Sequence, residues 1–483
     1  MAICEVGERQ SPPNETARQG NSWGYLGTPI TLLQKCRGAI KSLLYVIFDI
    51  LRLIFVVRRF FIGVQMSISH QQLGKLADKF GTPLYLYDQN AMENKIKAYL
   101  DNFKSDLFQT GVLYASKAFS CKGMIQLVKD MGMCLDVVSG GELYVAQQVG
   151  FDMNKVYFHG NNKSKSELEF ALSLDIGTVV VDNYQELFLL DKIAKDLGKK
   201  VKVLFRLNIG VDAHTHKYIS TALFESKFGM MPDSQEFADC MSYFTSDANV
   251  VFDGIHCHIG SQVFEINAYK LAIDKMVAIL KQWSKPLTLN IGGGFGVRYT
   301  DEDKPIDTAQ LCKMLIDYVH KALDEQKVSI NKLLIEPGRS IVGEAGSTIY
   351  IIGFTKQIPT KSFYFVDGGM TDNIRPALYQ AKYDCDVVGK QNEPKTNKVT
   401  IAGKCCESGD LIIEDVMLPP AKSGDRIVVY TTGAYGYSMS SNYNKATTPA
   451  VVFVKDGNAR LVVKRQTYQD LVANDVNDDW SQL

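Results

Sequence analysis

Four features of this sequence could do chemistry, and each comes directly after a short apolar segment. They are Lys117, the glycine-rich run Gly292–Gly296, and the pair Glu336 and Arg339. A desolvated lysine has a lowered pKa and can form a Schiff base with an aldehyde. Backbone N–H groups of a glycine run can bind phosphate, and an arginine can bind phosphate or carboxylate through its fork of donors. The combination indicates carbonyl chemistry next to an anion site.

The elements that position these residues form a regular series. Eight short apolar segments each end in a polar or glycine-rich cluster, and helix-compatible stretches separate them. Continuous apolar runs of this length are typical of strands buried on both faces of a parallel sheet. Eight such units predict an α/β fold, a (β/α)8 TIM-type barrel whose strand ends gather the polar clusters on the catalytic face. The predicted strands are Val112–Ala115, Cys134–Val138, Lys155–Phe158, Thr178–Val181, Val201–Phe205, Val250–Ile255, Leu287–Ile291 and Lys332–Ile335.

Two further clusters add histidine and cysteine chemistry. His256 and His258 occupy alternate positions at a strand end and could share a metal, but no third ligand is evident and we predict no metal site. An imidazole stacked on a flat cofactor ring is the functional alternative, and packed core histidines are the structural one. Cys405 and Cys406 precede Glu407. A thiol beside carboxylates stays protonated and could donate a proton.

Each cluster alone also has a structural explanation. Lys117 could be a surface lysine, the glycine run a flexible turn, and Glu336 with Arg339 an ion pair at a turn. Together they describe one ligand, because a Schiff-base lysine, a phosphate site, a stacking histidine and a carboxylate for a ring nitrogen all fit pyridoxal 5′-phosphate (PLP). We therefore predict a PLP enzyme.

The composition is that of a globular protein with more than one domain. The chain has 483 residues and a formal net charge of zero, so no global field favours nucleic acid or an anionic membrane. Ten cysteines lack metal-type spacing, which indicates free thiols and a cytoplasmic location.

The segments outside the barrel differ in character. After Arg339 the sequence changes to β-branched runs broken by Gly, Pro, Asp and Asn, which predicts a C-terminal β-sandwich or barrel-like domain. The loop Gly210–Gly229 is predicted to border the active site. The predicted domains are residues 1–65, outside the fold; 66–95, contributing the strand Leu84–Tyr87 to the β domain; 96–342, the PLP-binding barrel; and 343–483, the β domain.

The first 65 residues are predicted to be a leader, with Met66 as the natural start. Leu43–Val64 is strongly apolar, but Asp49 and Arg52 interrupt it. A membrane span needs about 20 apolar residues, and charges within it are costly. A helix that contacts the membrane surface is the alternative for this segment.

The sequence resembles the fold-type III PLP-dependent decarboxylases over roughly residues 70–465, and within them the branch that acts on diaminopimelate. FHGNNKS, IRPALY and GAYGYSMSSNYN point to that branch, whereas the other strings are shared with ornithine-type relatives. The leader has no counterpart in the family. The matching stretches are Tyr114–Phe119, Leu135–Tyr144, Phe158–Ser164, Gly254–Gln262, Asn290–Gly296, Glu336–Ser340, Ile374–Tyr379, Cys406–Asp410 and Gly433–Asn444.

The resemblance implies roles for individual residues. Lys117 would bind PLP covalently and Cys406 would be the proton donor, although the adjacent Cys405 makes the choice of thiol less direct. In the family Cys406 and Glu407 reach the partner subunit's site, which implies a homodimer with shared active sites. The implied cofactor-binding residues are Lys117, His258, Ser261, Gly293, Gly294, Glu336, Pro337, Gly338, Arg339 and Tyr435. The implied substrate-binding residues are Arg339, Arg375, Tyr379, Glu407 and Tyr435.

The implied reaction converts meso-2,6-diaminopimelate into L-lysine and CO2, the last step of lysine biosynthesis. The alternatives are a related decarboxylase acting on ornithine, arginine or carboxynorspermidine, and a non-catalytic regulator on the same fold. Arg375 argues against simple diamine precursors, which have no distal carboxylate. A regulator would be expected to lack Lys117 or Cys406, and both are present.

Overall fold

The computed structural model describes residues 68–211, 226–244 and 248–476. The predicted leader, including Leu43–Val64, lies outside these residues, as does the segment 212–225 of the predicted loop. No helix within the described residues combines the length and apolar character needed to cross a bilayer.

A helix, a strand and a second helix precede the barrel. They are α1 (His70–Phe80), β1 (Leu84–Asp88) and α2 (Gln89–Asn102). Helix α1 begins at a capping box, in which Ser69 and Gln72 each satisfy a free backbone N–H of the other. Asp88 caps α2 through the backbone N–H of Ala91.

Eight parallel strands then close into a barrel, which confirms the predicted fold class. Each strand pairs with the next along the chain, and β9 pairs with β2 to close the ring. All eight predicted segments overlap the observed strands. The strands are β2 (Gln109–Ala115), β3 (Cys134–Val137), β4 (Val156–Phe158), β5 (Thr178–Val181), β6 (Val201–Arg206), β7 (Val250–His256), β8 (Leu287–Asn290) and β9 (Ile330–Ile335). The helices are α3 (Lys122–Asp130), α4 (Gly140–Gln148), α5 (Lys165–Ser173), α6 (Tyr184–Asp196), α7 (Gln235–Tyr243), α8 (Ile266–Leu280), α9 (Thr308–Gln326) and α10 (Arg339–Val342).

Alternate residues of the barrel strands belong to two different hydrophobic clusters. Val179 and Val181 pack in the large cluster that includes residues of the surrounding helices. Val180, between them, packs with Leu113 and Leu204 from other strands. Successive side chains of a strand point to opposite faces, so burial on both faces explains why the segments are continuously apolar.

The remaining strands form a mostly antiparallel sheet. Its order is β14-β13-β11-β10-β1-β16-β17, with β15 pairing β10 and β12. Strand β1 pairs with β10 and β16 although it precedes the barrel in the chain. The predicted domain bounds stay predictions. The elements are β10 (Gly346–Ile358), β11 (Lys361–Val366), α11 (Arg375–Tyr379), β12 (Cys385–Val387), β13 (Asn397–Ala402), β14 (Leu411–Leu418), β15 (Arg426–Val429), β16 (Ala450–Lys455) and β17 (Asn458–Val463).

The sequence predicts all of the strands after Arg339 except two. The predicted runs are Thr348–Phe354, Ser362–Val366, Lys398–Ile401, Arg426–Tyr430, Ala450–Val454 and Arg460–Val463. Strand β12 has only three residues, too few to show a period. In β14, Glu414 and Asp415 interrupt the apolar residues, and Asp415 has a positive φ of 53°. The register between β13 and β14 shifts on either side of Ile401, so this strand is bulged, and a bulge breaks the alternation that identifies a strand.

A buried ion pair links the ends of β4 and β5. The ammonium group of Lys163 donates to the carbonyl oxygens of Gly160 and Val180, both at 2.8 Å, and contacts Oε1 of Glu186 at 2.6 Å. Both charged side chains are buried. All three donors of the ammonium group are used, so Lys163 in the FHGNNKS string has a structural task.

We expect Lys163→Met to lower the free energy of unfolding by about 3–5 kcal/mol, because it leaves the Glu186 carboxylate buried without its partner. The double variant Lys163→Met with Glu186→Leu should recover much of that loss. Urea denaturation of the three proteins measures the effect. Lys165→Met is the control, because its pair with Glu169 is exposed. A double variant no more stable than the single one would contradict the explanation.

Candidate active site

Lys117 lies in a short 3-10 turn, Ser116–Ala118, directly after β2. Solvent reaches its side chain, and charged groups surround it. Burial lowers the pKa of Lys117, but Asp136, Tyr435 and Glu336 outweigh burial and raise the pKa above its ordinary value. The lowered pKa expected from desolvation alone is therefore wrong, because the carboxylates reach Lys117 from other strands.

Asp136 is a site residue that the sequence pattern does not reveal. It lies inside β3 and is buried. Burial raises its pKa, while His159 and Lys117 act in the opposite direction. Within the described residues, Oδ1 of Asp136 has no hydrogen-bond partner. A carboxylate within an apolar segment is the signal that could have found it.

The carboxylate of Glu336 is buried among three polar side chains. Asn290 donates to Oε1 at 2.7 Å, His256 contacts Oε2 at 3.2 Å, and Nε2 of His159 lies 3.0 Å from Oε1. Burial raises the pKa of Glu336, but the two histidines outweigh burial and hold it well below its usual range. The ligand atoms of His159, His256 and Glu336 lie within 4.8 Å of one another, which is close enough for a cation. The absence of a metal stays a prediction.

His258 stands beside the glycine-rich run. The backbone N–H of Gly293 donates to its Nδ1 at 3.3 Å. Burial, Lys117 and Arg206 hold the pKa of His258 well below its ordinary value, so its ring is neutral near neutral pH. A Cβ at Gly293 would lie 2.1 Å from the carbonyl oxygen of Glu336, and one at Gly294 would lie 2.2 Å from that of Gly260. Only glycine fits at these two positions.

The end of β9 lies directly against the end of β2. The N–H of Ala115 donates to the carbonyl oxygen of Pro337 at 3.2 Å. A Cβ at Gly338 would lie 2.8 Å from the Cβ of Ala115. This close approach places Glu336 and Arg339 on the same side of the barrel as Lys117.

Arg339 is held among hydroxyl groups. It donates to Ser261 Oγ at 2.9 Å and to the Tyr299 hydroxyl at 2.5 Å. Its guanidinium lies 4.8 Å from the centre of the Tyr435 ring, a favourable contact of a cation with an aromatic face. Tyr435 has a positive φ of 61°, and its N–H donates to Ala118 beside Lys117. Arg339, Ser261 and Tyr435 therefore form one group.

Arg375 approaches the same group from the β domain. It begins α11, is buried, and donates to the Tyr383 hydroxyl at 2.5 Å. Its guanidinium lies 4.9 Å from the centre of the Tyr299 ring, which also contacts Arg339. Sequence analysis misses Tyr299 and Tyr383, because neither follows a strand end or belongs to a matching string.

Three predicted site residues have other surroundings. Tyr379 is exposed at the end of α11. Cys406 is exposed and its N–H donates to Asn444, while Glu407 accepts a hydrogen bond from Tyr443. Within the described residues, neither Cys406 nor Glu407 forms a hydrogen bond with the barrel. Burial and Asp410 raise the pKa of the adjacent Cys405 to about 11.

Comparison with known proteins gives one consistent result. The family described as "Pyridoxal-dependent decarboxylase, pyridoxal binding domain" matches residues 91–343. The diaminopimelate decarboxylase of Bacillus subtilis is 46% identical over 407 residues, a match that covers 83% of this chain and 93% of the relative. The chain belongs to the diaminopimelate decarboxylase family.

Solved structures of diaminopimelate decarboxylases share the fold. The enzyme from M. jannaschii, in complex with L-lysine, superposes with a TM-score of 0.78 and 34% identity, covering 84% of this chain and 94% of that one. The Helicobacter pylori enzyme, also complexed with L-lysine, superposes with a TM-score of 0.74 and 32% identity, covering 83% and 98%.

The residues of this site fit PLP, the cofactor of the diaminopimelate decarboxylase family. Lys117 supplies an amine that solvent reaches, and the close backbone at Gly293 and Gly294 leaves no room for side chains at the end of β8. Within the described part of the chain, the buried atoms Asp136 Oδ1 and Arg339 Nε have no hydrogen-bond partner, so polar groups remain available to a ligand.

We expect Asp136→Asn to lower the pKa of Lys117, because it removes the carboxylate that contributes most to raising that pKa. Reductive methylation of the cofactor-free protein with formaldehyde, followed by peptide mapping across a pH series, measures the midpoint at Lys117. The midpoint should move to lower pH, whereas the exposed control Asp130→Asn should leave it unchanged. An unaltered midpoint in Asp136→Asn would show that other groups set this pKa.

Proposed function

We propose that the protein removes one carboxyl group of meso-2,6-diaminopimelate and produces L-lysine and CO2, the last step of lysine biosynthesis, using PLP. The observation that carries this proposal is 46% identity with a curated diaminopimelate decarboxylase over nearly all of the relative's length. The buried Arg375, at the edge of the site, supports a substrate with a second carboxylate.

PLP, when bound, supplies an aldehyde for amines and an electron sink for decarboxylation. In our proposal Lys117 provides the amine that binds the aldehyde and later returns to it. Glu336 stays ionised and pairs with the protonated ring nitrogen, and His258 stacks on the ring. The lowered pKa of Glu336 and the neutral ring of His258 support these two assignments.

The phosphate is assigned to groups at the ends of β7, β8 and β9. Backbone N–H groups of Gly293, Gly294 and Gly338 would donate to it, with Pro337 holding the last turn. Ser261 and Tyr435 would add hydroxyl groups, and Arg339 lies close enough to both to contribute its charge. Backbone N–H groups in glycine-rich turns are well suited to binding phosphate.

Substrate recognition is assigned to two arginines, two tyrosines and one glutamate. Arg339 and Arg375 would bind carboxylate, with Tyr435 and the Tyr379 hydroxyl as further donors, and Glu407 would pair with the distal amine. A site with a buried arginine rejects an analogue that leaves the arginine unpaired. This preference would discriminate diaminopimelate from ornithine.

Protonation of the product is assigned to Cys406. After the α-carboxylate leaves as CO2, the Cys406 thiol would donate its proton to Cα, and solvent would restore the proton. Cys406 and Glu407 lie on the exposed surface of the β domain. We infer that the protein is a homodimer in which these two residues complete the partner's site. Free thiols at all eight cysteines of the described residues support a cytoplasmic location.

Release of CO2 from carboxyl-labelled meso-diaminopimelate tests the proposal. The same assay is run with ornithine, arginine and carboxynorspermidine, with and without added PLP. Lysine and CO2 formed from diaminopimelate alone, and only with PLP, are expected. Turnover of another amino acid in place of diaminopimelate would keep the cofactor and overturn the substrate.

Arg375→Ala should lower kcat/KM for diaminopimelate by roughly 30-fold to several thousand-fold, because losing one partner of a buried charged pair costs about 2–5 kcal/mol. Arg375→Lys keeps the charge but loses the fork, and should fall in between. Arg426→Ala, which removes a surface pair with Asp78, is the control. Activity of Arg375→Ala within a few-fold of wild type would remove Arg375 from the substrate site.

A further inference from the structure

We propose that His159 and His256 are positioning residues for Glu336, and that they keep its carboxylate ionised, oriented and able to accept one further hydrogen bond. The proposal deepens the assigned function, because it rests on Glu336 being the partner of the PLP ring nitrogen. Neither histidine belongs to the set of site residues that the sequence resemblance implies.

The Glu336 carboxylate has a limited number of positions at which it can accept hydrogen bonds. Each oxygen offers two lone pairs. Asn290 donates to Oε1 at 2.7 Å, and Nε2 of His159 lies 3.0 Å from the same oxygen without forming a hydrogen bond among the described residues. His256 at 3.2 Å occupies one position of Oε2. Oε2 is therefore left with one lone pair, and the role proposed for Glu336 requires one.

The buried negative charge of Glu336 also needs stabilising. A carboxylate this deeply buried would take up a proton if nothing compensated its burial. The hydrogen-bond donors to it are the amide of Asn290 and the imidazole of His256, and the ring of His159 lies beside it. Burial holds the pKa of His256 at about 4, so this ring is neutral near pH 7 and donates through Nε2–H. A neutral donor stabilises the carboxylate without cancelling its charge, whereas a lysine or arginine in that place would cancel it.

Backbone hydrogen bonds of the barrel hold both histidines in place. His256 ends β7, where it pairs with Arg206 of β6 and Asn290 of β8. The N–H of His159 donates to the carbonyl of Val137 at 2.8 Å. The two imidazole rings meet edge to face, with centroids 4.9 Å apart. Side chains at the ends of β4, β7 and β8 thus surround the carboxylate.

The hydrogen bonding of His256 distinguishes a positioning role from simple packing. Among the described residues, Nδ1 of His256 has no hydrogen-bond partner. The only polar bond of a fully buried ring is therefore spent on Glu336. If His256 only filled space, both of its ring nitrogens would lack a partner. An apolar side chain of similar size would avoid that cost.

The test compares variants that keep or remove the donor at Nε2. His256→Gln places an amide N–H near that position, and His256→Leu removes it; the same pair is made at His159. PLP titration of the cofactor-free protein should show binding at least about tenfold weaker in the leucine variants, with most of the affinity restored in the glutamine variants. PLP labelled with 15N at its pyridine nitrogen is bound to each variant. The NMR chemical shift of that nitrogen should show that it loses its proton only in the leucine variants.

One control variant tests whether the effect is specific to these two histidines. His320→Leu removes a half-buried histidine on α9 that bonds Ser105, and it should change neither readout. If the leucine variants keep the ring nitrogen protonated and bind PLP as wild type does, or if the glutamine variants fail as the leucine variants do, the proposal is overturned. No amino-acid substrate is present, so a wrong substrate assignment leaves this test unaffected.

Discussion

The active site depends on the closure of the barrel between its first and last strands. Lys117 follows β2 and Glu336 follows β9, and they share one site because these strands pair. The contact continues past the strands, where the Ala115 N–H donates to Pro337. Gly338 approaches Ala115 so closely that a Cβ at position 338 would push the two strand ends apart. A side chain at this position would move Glu336 away from Lys117.

Closure also concentrates charges that burial would otherwise make costly. Asp136 and Glu336 face Lys117 and Arg206, so each carboxylate lies among cations and each cation among carboxylates. Because a buried charge is stable only with partners, the neighbours decide the protonation states. The neighbouring carboxylates raise the pKa of Lys117, and the neighbouring histidines lower the pKa of Glu336. Burial and the positive charges of Lys117 and Arg206 lower the pKa of His258, so its flat ring is uncharged near neutral pH.

The sequence predicts what depends on local pattern and misses what depends on tertiary contact. The eight strand segments show continuous burial, so the barrel and the residues at its strand ends, Lys117 and Glu336 among them, could be predicted. Asp136 is hidden within a strand, and Tyr299 lies in a loop. The bulged β14 lacks a clear period, and the pKa direction of Lys117 depends on carboxylates from distant strands. Asp136 has one local signal, a carboxylate within an apolar segment, and the other three have none.

The barrel and the β domain meet at a shared aromatic ring. Arg339 comes from the end of the barrel and Arg375 from the β domain, and both guanidinium groups contact Tyr299. Two cations this close repel each other unless something separates or neutralises them. Both guanidinium groups contact the Tyr299 ring, Arg339 donates to the Tyr299 hydroxyl, and Arg375 donates to the Tyr383 hydroxyl. A bound carboxylate would supply the missing negative charge, so anion binding and the correct packing of the two domains stabilise the same arrangement.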